Sequence, residues 1–231
     1  MGLMQELTLS RTPKLILFDL DDTLVGSTRI YKKCYQDLKL DLAVLERAKT
    51  EIKQNLGAGH VSAHQRLLYF KKYLEMKSLF SAEVLLEMIS QYERRLQDYV
   101  HQDWIQLQRE DLFLKLKKKF SLALVTNEST RTQLLKLQML DPEQKIFDFM
   151  VTSEEVGVEK PNSKIFSECF RRSSCRIEDV LMVGDSVKND LEPIAAMGGQ
   201  VIGTTEFLDD SENGKDFPWI ANLNQLSTFL F

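Results

Sequence analysis

The sequence predicts an α/β protein in which a parallel sheet, covered by helices on both faces, is interrupted early by an all-helical insert. Short apolar runs at residues 14–18 (KLILF), 121–125 (SLALV), 148–151 (DFMV), 180–183 (VLMV) and 200–203 (QVIG) have the length and texture of strands buried on both sides. Helical segments fit between the later runs, at roughly 107–118, 129–139, 162–172 and 188–197, and strands alternating with helices argue for parallel pairing. From Gly26 to Trp104 the texture is different: there is no proline, and Gly57 and Gly59 are the only interruptions.

The elements follow in order. The first run ends in a cluster of carboxylates, as a buried strand does when it empties into a polar turn. Within the insert, Leu85, Met88, Ile89, Tyr92 and Leu96 form the i, i+3, i+4 stripe of an amphipathic helix. Residues 1–26 and 105–231 are therefore expected to form the core, and 27–104 a helical bundle. Gly198 and Gly199 stop a helix before the strand at 200. The last segment, NLNQLSTFLF, reads as a short amphipathic helix. The basic run LKLKKKF at 114–120 is the solvated end of a helix, where cations suit the helix dipole. No internal repeat or low-complexity linker is found.

Composition excludes several functions. A chain of 231 residues with 43% hydrophobic content buries a sizeable core, and its net charge of -4 carries no basic footprint for nucleic acid. No apolar run reaches the ~20 residues needed to span a bilayer. The first residues lack the pattern of a secretory signal, and Glu6 stands where the acylation signal starting at Gly2 needs Ser or Thr. Cys34, Cys169 and Cys175 form no C-x-x-C pair and are expected to be buried, reduced thiols. The expected setting is the cytoplasm, the expected partner a small molecule, with neither nucleic acid nor membrane, and the expected state a monomer or homodimer.

In an open parallel sheet the functional groups collect outside the carboxyl ends of the strands. Asp19 and Asp21 follow the first run and alternate about one residue, so an extended backbone sends both carboxylates to one side. Such a pair suits a nucleophile and a proton shuttle, though Asp-rich turns are also common turn formers. Thr126 and Asn127 follow SLALV and precede a helix, where they suit either a phosphate oxygen or a plain N-terminal cap. Lys160 precedes Pro161 in a loop, with Pro161 placed as a first helical residue. Asp185 and Asp190 follow the fourth run and suit a hard cation such as magnesium. Four carboxylates in one crevice would repel and be driven to protonate, a conflict that a divalent cation and Lys160 remove.

The segments FDLDDT, VTNES, VGVEKPNSKIF and MVGDSVKND, in that order, resemble the four motifs of the haloacid dehalogenase-like hydrolase superfamily over residues 14 to about 203. The insert after the first motif resembles the small helical cap of its first cap class. The resemblance implies a Rossmann-like core, with Asp19 as nucleophile and Asp21 as general acid and base. It also implies that Thr126, Asn127 and Lys160 hold the phosphoryl group. Magnesium would be bound by Asp19, the backbone carbonyl of Asp21 and Asp185, with Asp190 supporting.

The presence of Asp21 favours the phosphatase branch: a magnesium-dependent phosphatase of a nucleoside monophosphate, sugar phosphate or phosphoglycolate-type ester. A sugar-phosphate mutase, a haloacid dehalogenase and a non-enzymatic regulator that kept the fold are the alternatives, in that order. Specificity is expected from the cap, where Arg29, Tyr31 and Lys32 follow the first motif and His60, His64 and Arg66 follow the two glycines. A solvated helical face is the competing reading for each. Two departures from the family pattern are Asp22, where Gly is frequent, and Glu192-Pro193, where small residues are usual.

Overall fold

Residues 9–208 and 216–231 are described by the structure, a computed structural model, so the stretch holding Gly2 and Glu6 lies outside the described residues. Strands β1 (Leu15–Phe18), β2 (Ser121–Thr126), β3 (Phe149–Thr152), β4 (Val180–Gly184), β5 (Gln200–Thr204) and β6 (Trp219–Ile220) form one sheet in the order β3-β2-β1-β4-β5-β6. All pairings are parallel, with Phe18 level with Leu124 on one side and with Val183 on the other. The five runs read from the sequence are strands; β6, only two residues long, is an addition. Gly203 is required beside it, because a Cβ there would lie 2.4 Å from the Trp219 ring.

Strand alternation divides the core in two. Ile16, Phe18, Leu122, Leu124, Leu181 and Val183 face one side, against Phe113 and Leu116 of α5 (Glu110–Lys117). Leu15, Leu17, Ala123, Val125 and Met182 face the other, against Ile165, Phe166 and Cys169 of α8 (Ser163–Ser173). Both faces are apolar because both are covered.

The insert contains α1 (Ser27–Asp37), α2 (Leu42–Leu56), α3 (Arg66–Met76) and the long α4 (Ala82–Leu107). Of the expected stripe, Leu85, Tyr92 and Leu96 are buried and Met88 and Ile89 pack against them. Tyr92 stacks on Tyr35 at 6.0 Å and meets Phe70 edge-on at 5.4 Å. The same face of α4 continues through Val100 and Trp104 to Phe113, so one apolar cluster runs from insert to sheet. The two chain crossings are tied together: the Gly26 N–H donates to the buried Asp103 carboxylate at 3.0 Å, and the buried Arg109 donates to the Leu24 carbonyl at 2.6 Å.

The helix expected at 107–118 is the end of α4 and, separately, α5. Gln108 ends α4 in the left-handed region, with φ +49°, and turns the chain. The helix expected at 188–197 is also divided. Residues 187–191 form one wide turn, closed by the Leu191 N–H on the Ser186 carbonyl at 3.3 Å, before α9 (Glu192–Ala196). Pro193 enforces this, since it has no N–H to continue the ladder, but sits without penalty in the first turn of α9. Gly198, at φ +94°, ends that helix as read from the sequence. The terminal segment holds a short 3-10 turn and α10 (Leu226–Leu230). The basic run closes α5, where Lys117 pairs with Asp148 and Lys119 lies 4.4 Å over the Phe231 ring. Cys34 and Cys169 are buried free thiols, while Cys175 is only half-buried. No described helix is long and apolar enough to cross a membrane.

Candidate active site

The strand order reverses direction between β1 and β4, and a crevice opens there at the carboxyl ends of the strands. A cavity of about 160 Å³ at that point is lined by residues from all four motif segments, Asp19, Asp21, Thr126, Asn127, Lys160, Asp185 and Asp190 among them.

Asp19 leaves β1 with its N–H on the Val183 carbonyl at 3.0 Å, which continues the ladder and holds its carboxylate at the crevice floor. The turn that follows needs a left-handed residue at position 22, and Asp22 adopts φ +57°. That conformation explains the usual glycine, and Asp is among the few side chains that tolerate it. Asp22 also accepts from the Thr28 N–H at 2.9 Å, serving the start of α1, whose own N-cap is Gly26. Thr23, fully buried, donates to Asp185 at 3.0 Å and so fixes a carboxylate 162 residues away.

Lys160 uses all three donors: on Asp19 at 2.6 Å, on Asp190 at 2.6 Å and on the Val125 carbonyl at 3.0 Å. Burial alone would depress its pKa, but the Asp19 and Asp190 carboxylates raise it above its ordinary value, so it stays an ammonium. The Lys160 loop is held by Asn127, which pairs with the Lys160 backbone through both ends of its amide, at 2.6 and 2.9 Å. The Asn127 side chain thus positions the lysine, while Asn127 itself still lines the cavity. Pro161 is not a first helical residue: Asn162 caps α8 by accepting from Lys164 N–H, and the helix begins at Ser163. Thr126 and Asn127 do not cap the next helix either, because Ser129 caps α6 (Thr130–Leu140).

Asp19, Asp185 and Asp190 each bring a carboxylate oxygen within 4.8 Å of the others. Burial, with the neighbouring carboxylates, pushes Asp19 well above the ordinary range and Asp185 up to about 7. One ammonium does not relieve that crowding, and a set of hard oxygen donors with unresolved negative charge fits a divalent cation. Asp190 is the least available of the three, being bound to Lys160 and to the Ser186 N–H at 3.1 Å. It is seated against Gly184, where any Cβ would lie 2.5 Å from its carboxylate.

Asp21 is surrounded by Tyr31, named above among the insert residues, and by Lys136 and Gln133, which no sequence motif singles out. Its carboxylate accepts from the buried Lys136, from Gln133 at 2.6 Å and from Tyr31 at 3.1 Å. Burial raises its pKa, but Lys136 and these hydrogen bonds outweigh burial and hold Asp21 well below the ordinary value. Gln133 also donates to Thr126 at 2.7 Å, linking two motif residues. The signal for these residues is a broken pattern: on α6 the buried stripe carries Gln133 and Lys136, whereas Leu134 is 52% exposed.

The cap candidates separate. Arg66, 8% exposed, pairs with the buried Glu128 at 3.0 Å and stacks over the Tyr31 ring at 4.2 Å. It joins α3 to the loop after β2. His64 lies 3.2 Å from Glu159, next to Lys160. Tyr31, Lys32, His64 and Arg66 line a second cavity, beside Asp21. Arg29 and His60 line neither this cavity nor the first. Arg29 pairs with Asp103 and covers Phe207 at 5.1 Å, and His60 is exposed and accepts from the Ser62 N–H at 3.1 Å. Nearness in sequence to a motif or to a glycine pair did not place them at the site.

Residues 16–204 match the family model of the haloacid dehalogenase-like hydrolases. The ribulose-1,5-bisphosphate 5-phosphatase of Halopiger xanaduensis is 30% identical, over 81% of this chain and 82% of its own. The glyceraldehyde 3-phosphate phosphatase of Methanothermobacter thermautotrophicus is 28% identical, over 94% of this chain and 99% of its own. Among solved structures, the magnesium-bound HAD hydrolase YfnB of Bacillus subtilis matches with TM-score 0.67 and 23% identity, over 95% of this chain and 99% of its own. Since the family model spans all four motif segments and the strands that carry them, the chain belongs to the haloacid dehalogenase-like hydrolase family.

Proposed function

We propose that this chain is a magnesium-dependent phosphatase that hydrolyses a small phosphorylated metabolite through an aspartyl-phosphate on Asp19. The observation that carries the reading is the seating of Asp19: buried at the end of β1, one oxygen held by Lys160 at 2.6 Å, in a small cavity with a second carboxylate two residues away. Residues 27–104 act as the cap over this site. The two relatives described above are named for sugar phosphates, which supports a sugar phosphate as the substrate class.

When bound by Asp19, Asp185 and the main-chain carbonyl of Asp21, with Asp190 behind them, magnesium supplies positive charge against the phosphoryl oxygens and the crowded carboxylates. Lys160 holds Asp19 in line and neutralises the incoming phosphoryl group. The free oxygen of Asp19 attacks phosphorus and the bond to the leaving oxygen breaks; Asp21, which Lys136 keeps ionised in the free chain, relays to that oxygen a proton taken up from solvent with the substrate. Asp21 then takes a proton from water, which attacks the aspartyl-phosphate, releases phosphate and restores Asp19.

Purified protein is expected to release inorganic phosphate from p-nitrophenyl phosphate with magnesium present and to stop on chelation, recovering when the metal is returned. Turnover undiminished in excess chelator overturns the metal's role. Isomerisation of a sugar phosphate without phosphate release would replace the reading with the mutase one.

A further inference from the structure

The second cavity, of about 440 Å³, opens between α1, α2 and the start of α3. Its inner wall is Tyr31 and Arg66, and the Tyr31 hydroxyl donates to Asp21 at 3.1 Å, so the cavity begins one hydrogen bond from the phosphoryl site. On the phosphatase reading, a group leaving phosphorus and protonated by Asp21 is released on the side of Asp21 that Tyr31 borders. The cavity's volume falls in the range of small-molecule sites, roughly 300–1,000 Å³.

The charges on its walls do not balance. Arg66 is answered by Glu128 at 3.0 Å. On α2, Lys49 and Lys53 stand one turn apart on the cavity side. Glu46 engages Lys49 at 2.7 Å, and Lys49 also lies 4.7 Å over the Tyr35 ring. Lys53 and, across the cavity on α1, Lys32 have no ion-pair partner among the described residues. Two uncompensated ammonium groups thus face a concave wall in a chain whose net charge is -4. A concave surface of one sign concentrates the field of its charges on whatever enters.

We propose that this cavity receives a leaving group bearing an acidic group of its own, a second phosphate or a carboxylate, and that Lys32 and Lys53 bind it. The inference rests on the phosphatase reading and narrows its substrate to polyols or sugars that are anionic at both ends. Tyr31 and Arg66 form the neutral and already paired stretch between the two anion sites, and Lys49, tethered by Glu46, adds its charge to the far end.

The test compares kcat/KM for phosphate release from glycerol 3-phosphate, whose leaving group is neutral, with that from a sugar bisphosphate and from 3-phosphoglycerate. Each is measured in the native chain and in Lys32→Gln/Lys53→Gln. The readout is the ratio of each doubly acidic substrate to glycerol 3-phosphate, so a general loss of activity divides out. The native ratio is expected to be about tenfold or more for at least one of the two, to fall toward one in the double variant, and to shrink as salt is raised from 0.05 to 0.5 M. The bisphosphate and carboxylate arms distinguish which acid is bound. Phosphate release from all three substrates with a native ratio near one, or a ratio untouched by the double substitution, overturns the inference and leaves the phosphatase reading standing. No phosphate release from any substrate, p-nitrophenyl phosphate included, overturns both.

Discussion

The phosphoryl cavity and the cavity of the helical insert differ in how their charges are held. In the phosphoryl cavity the charges are buried or half-buried and committed: Lys160 to Asp19 and Asp190, Lys136 to Asp21, and Asp185 to Thr23. Strand register fixes them, because Asp19 and Asp185 leave adjacent parallel strands that cannot slip without turning both faces of the core. In the cavity of the helical insert Arg66 is buried and paired, but Lys32 and Lys53 stand on exposed helix faces with no ion-pair partner among the described residues. The first arrangement suits a reaction centre, where preorganised charge strengthens the transition state. The second suits selection, where loosely held charge discriminates among anions at little cost to the fold.

The largest effect should come from breaking the first cavity. Asp19→Asn removes the proposed nucleophile and is expected to lower phosphate release on the order of 10⁴-fold, about 5.5 kcal/mol of barrier, with the far-UV spectrum unchanged. A variant retaining a tenth of native activity would remove Asp19 from the chemistry. Next comes the seam between the two cavities. Arg66→Met leaves Glu128, 3% exposed, as an uncompensated buried charge and is expected to destabilise the chain by about 3–5 kcal/mol in urea unfolding. Adding Glu128→Gln should return part of that loss. A loss under about 1 kcal/mol for the single variant would show that the pair does not tie cap to core.

Lys136 tests whether the committed charges extend beyond the motifs. Its ammonium reaches no cavity-lining carboxylate other than Asp21 and acts through it, so Lys136 is a positioning residue. Lys136→Met is expected to lower kcat about 10²-fold on p-nitrophenyl phosphate, with KM moved less than about twofold. Lys136→Arg should recover part of the rate. A change in KM alone, or in thermal stability alone, would place Lys136 outside the catalytic geometry.

What could be read from the sequence follows the same division. The parallel strands and the four motif segments were legible because each depends on local pattern, an apolar run followed by polar residues at a strand end, whereas the order of the strands in the sheet depends on crossovers that no local pattern encodes. The left-handed turn at Asp22 was foreshadowed as a departure from glycine. Lys136, Gln133 and Glu128 were not selected, because their partners lie 115, 112 and 62 residues away and no local spacing encodes such pairs. Arg29 and His60 were selected on nearness along the chain, which helix direction overrides. The breaks at Gln108 and in residues 187–191 lie inside segments whose apolar spacing alone reads as continuous helix.

The smallest effect expected concerns a charge pair that is neither buried nor functional. Asp148 accepts from Ser121 at 2.6 Å and from the Leu122 N–H at 3.2 Å, and pairs with Lys117 at the start of β2. Partial burial raises its pKa, but the Lys117 and Ser121 hydrogen bonds outweigh it and hold Asp148 below its ordinary value. A depressed folded-state pKa contributes stability above the unfolded value of about 3.9, and that contribution is lost as pH falls through the folded one. Because the group is largely exposed, solvent screening limits the contribution to under about 1 kcal/mol. Asp148→Asn should therefore be slightly less stable than the native chain at pH 7, with the gap narrowing as pH falls below the unfolded value, as read by urea midpoints. The same substitution should leave phosphate release unchanged, since Asp148 lines neither cavity. A gap that does not change with pH would mean that Asp148 contributes hydrogen bonds without charge, and a loss of activity would mean that the start of β2 communicates with its catalytic end.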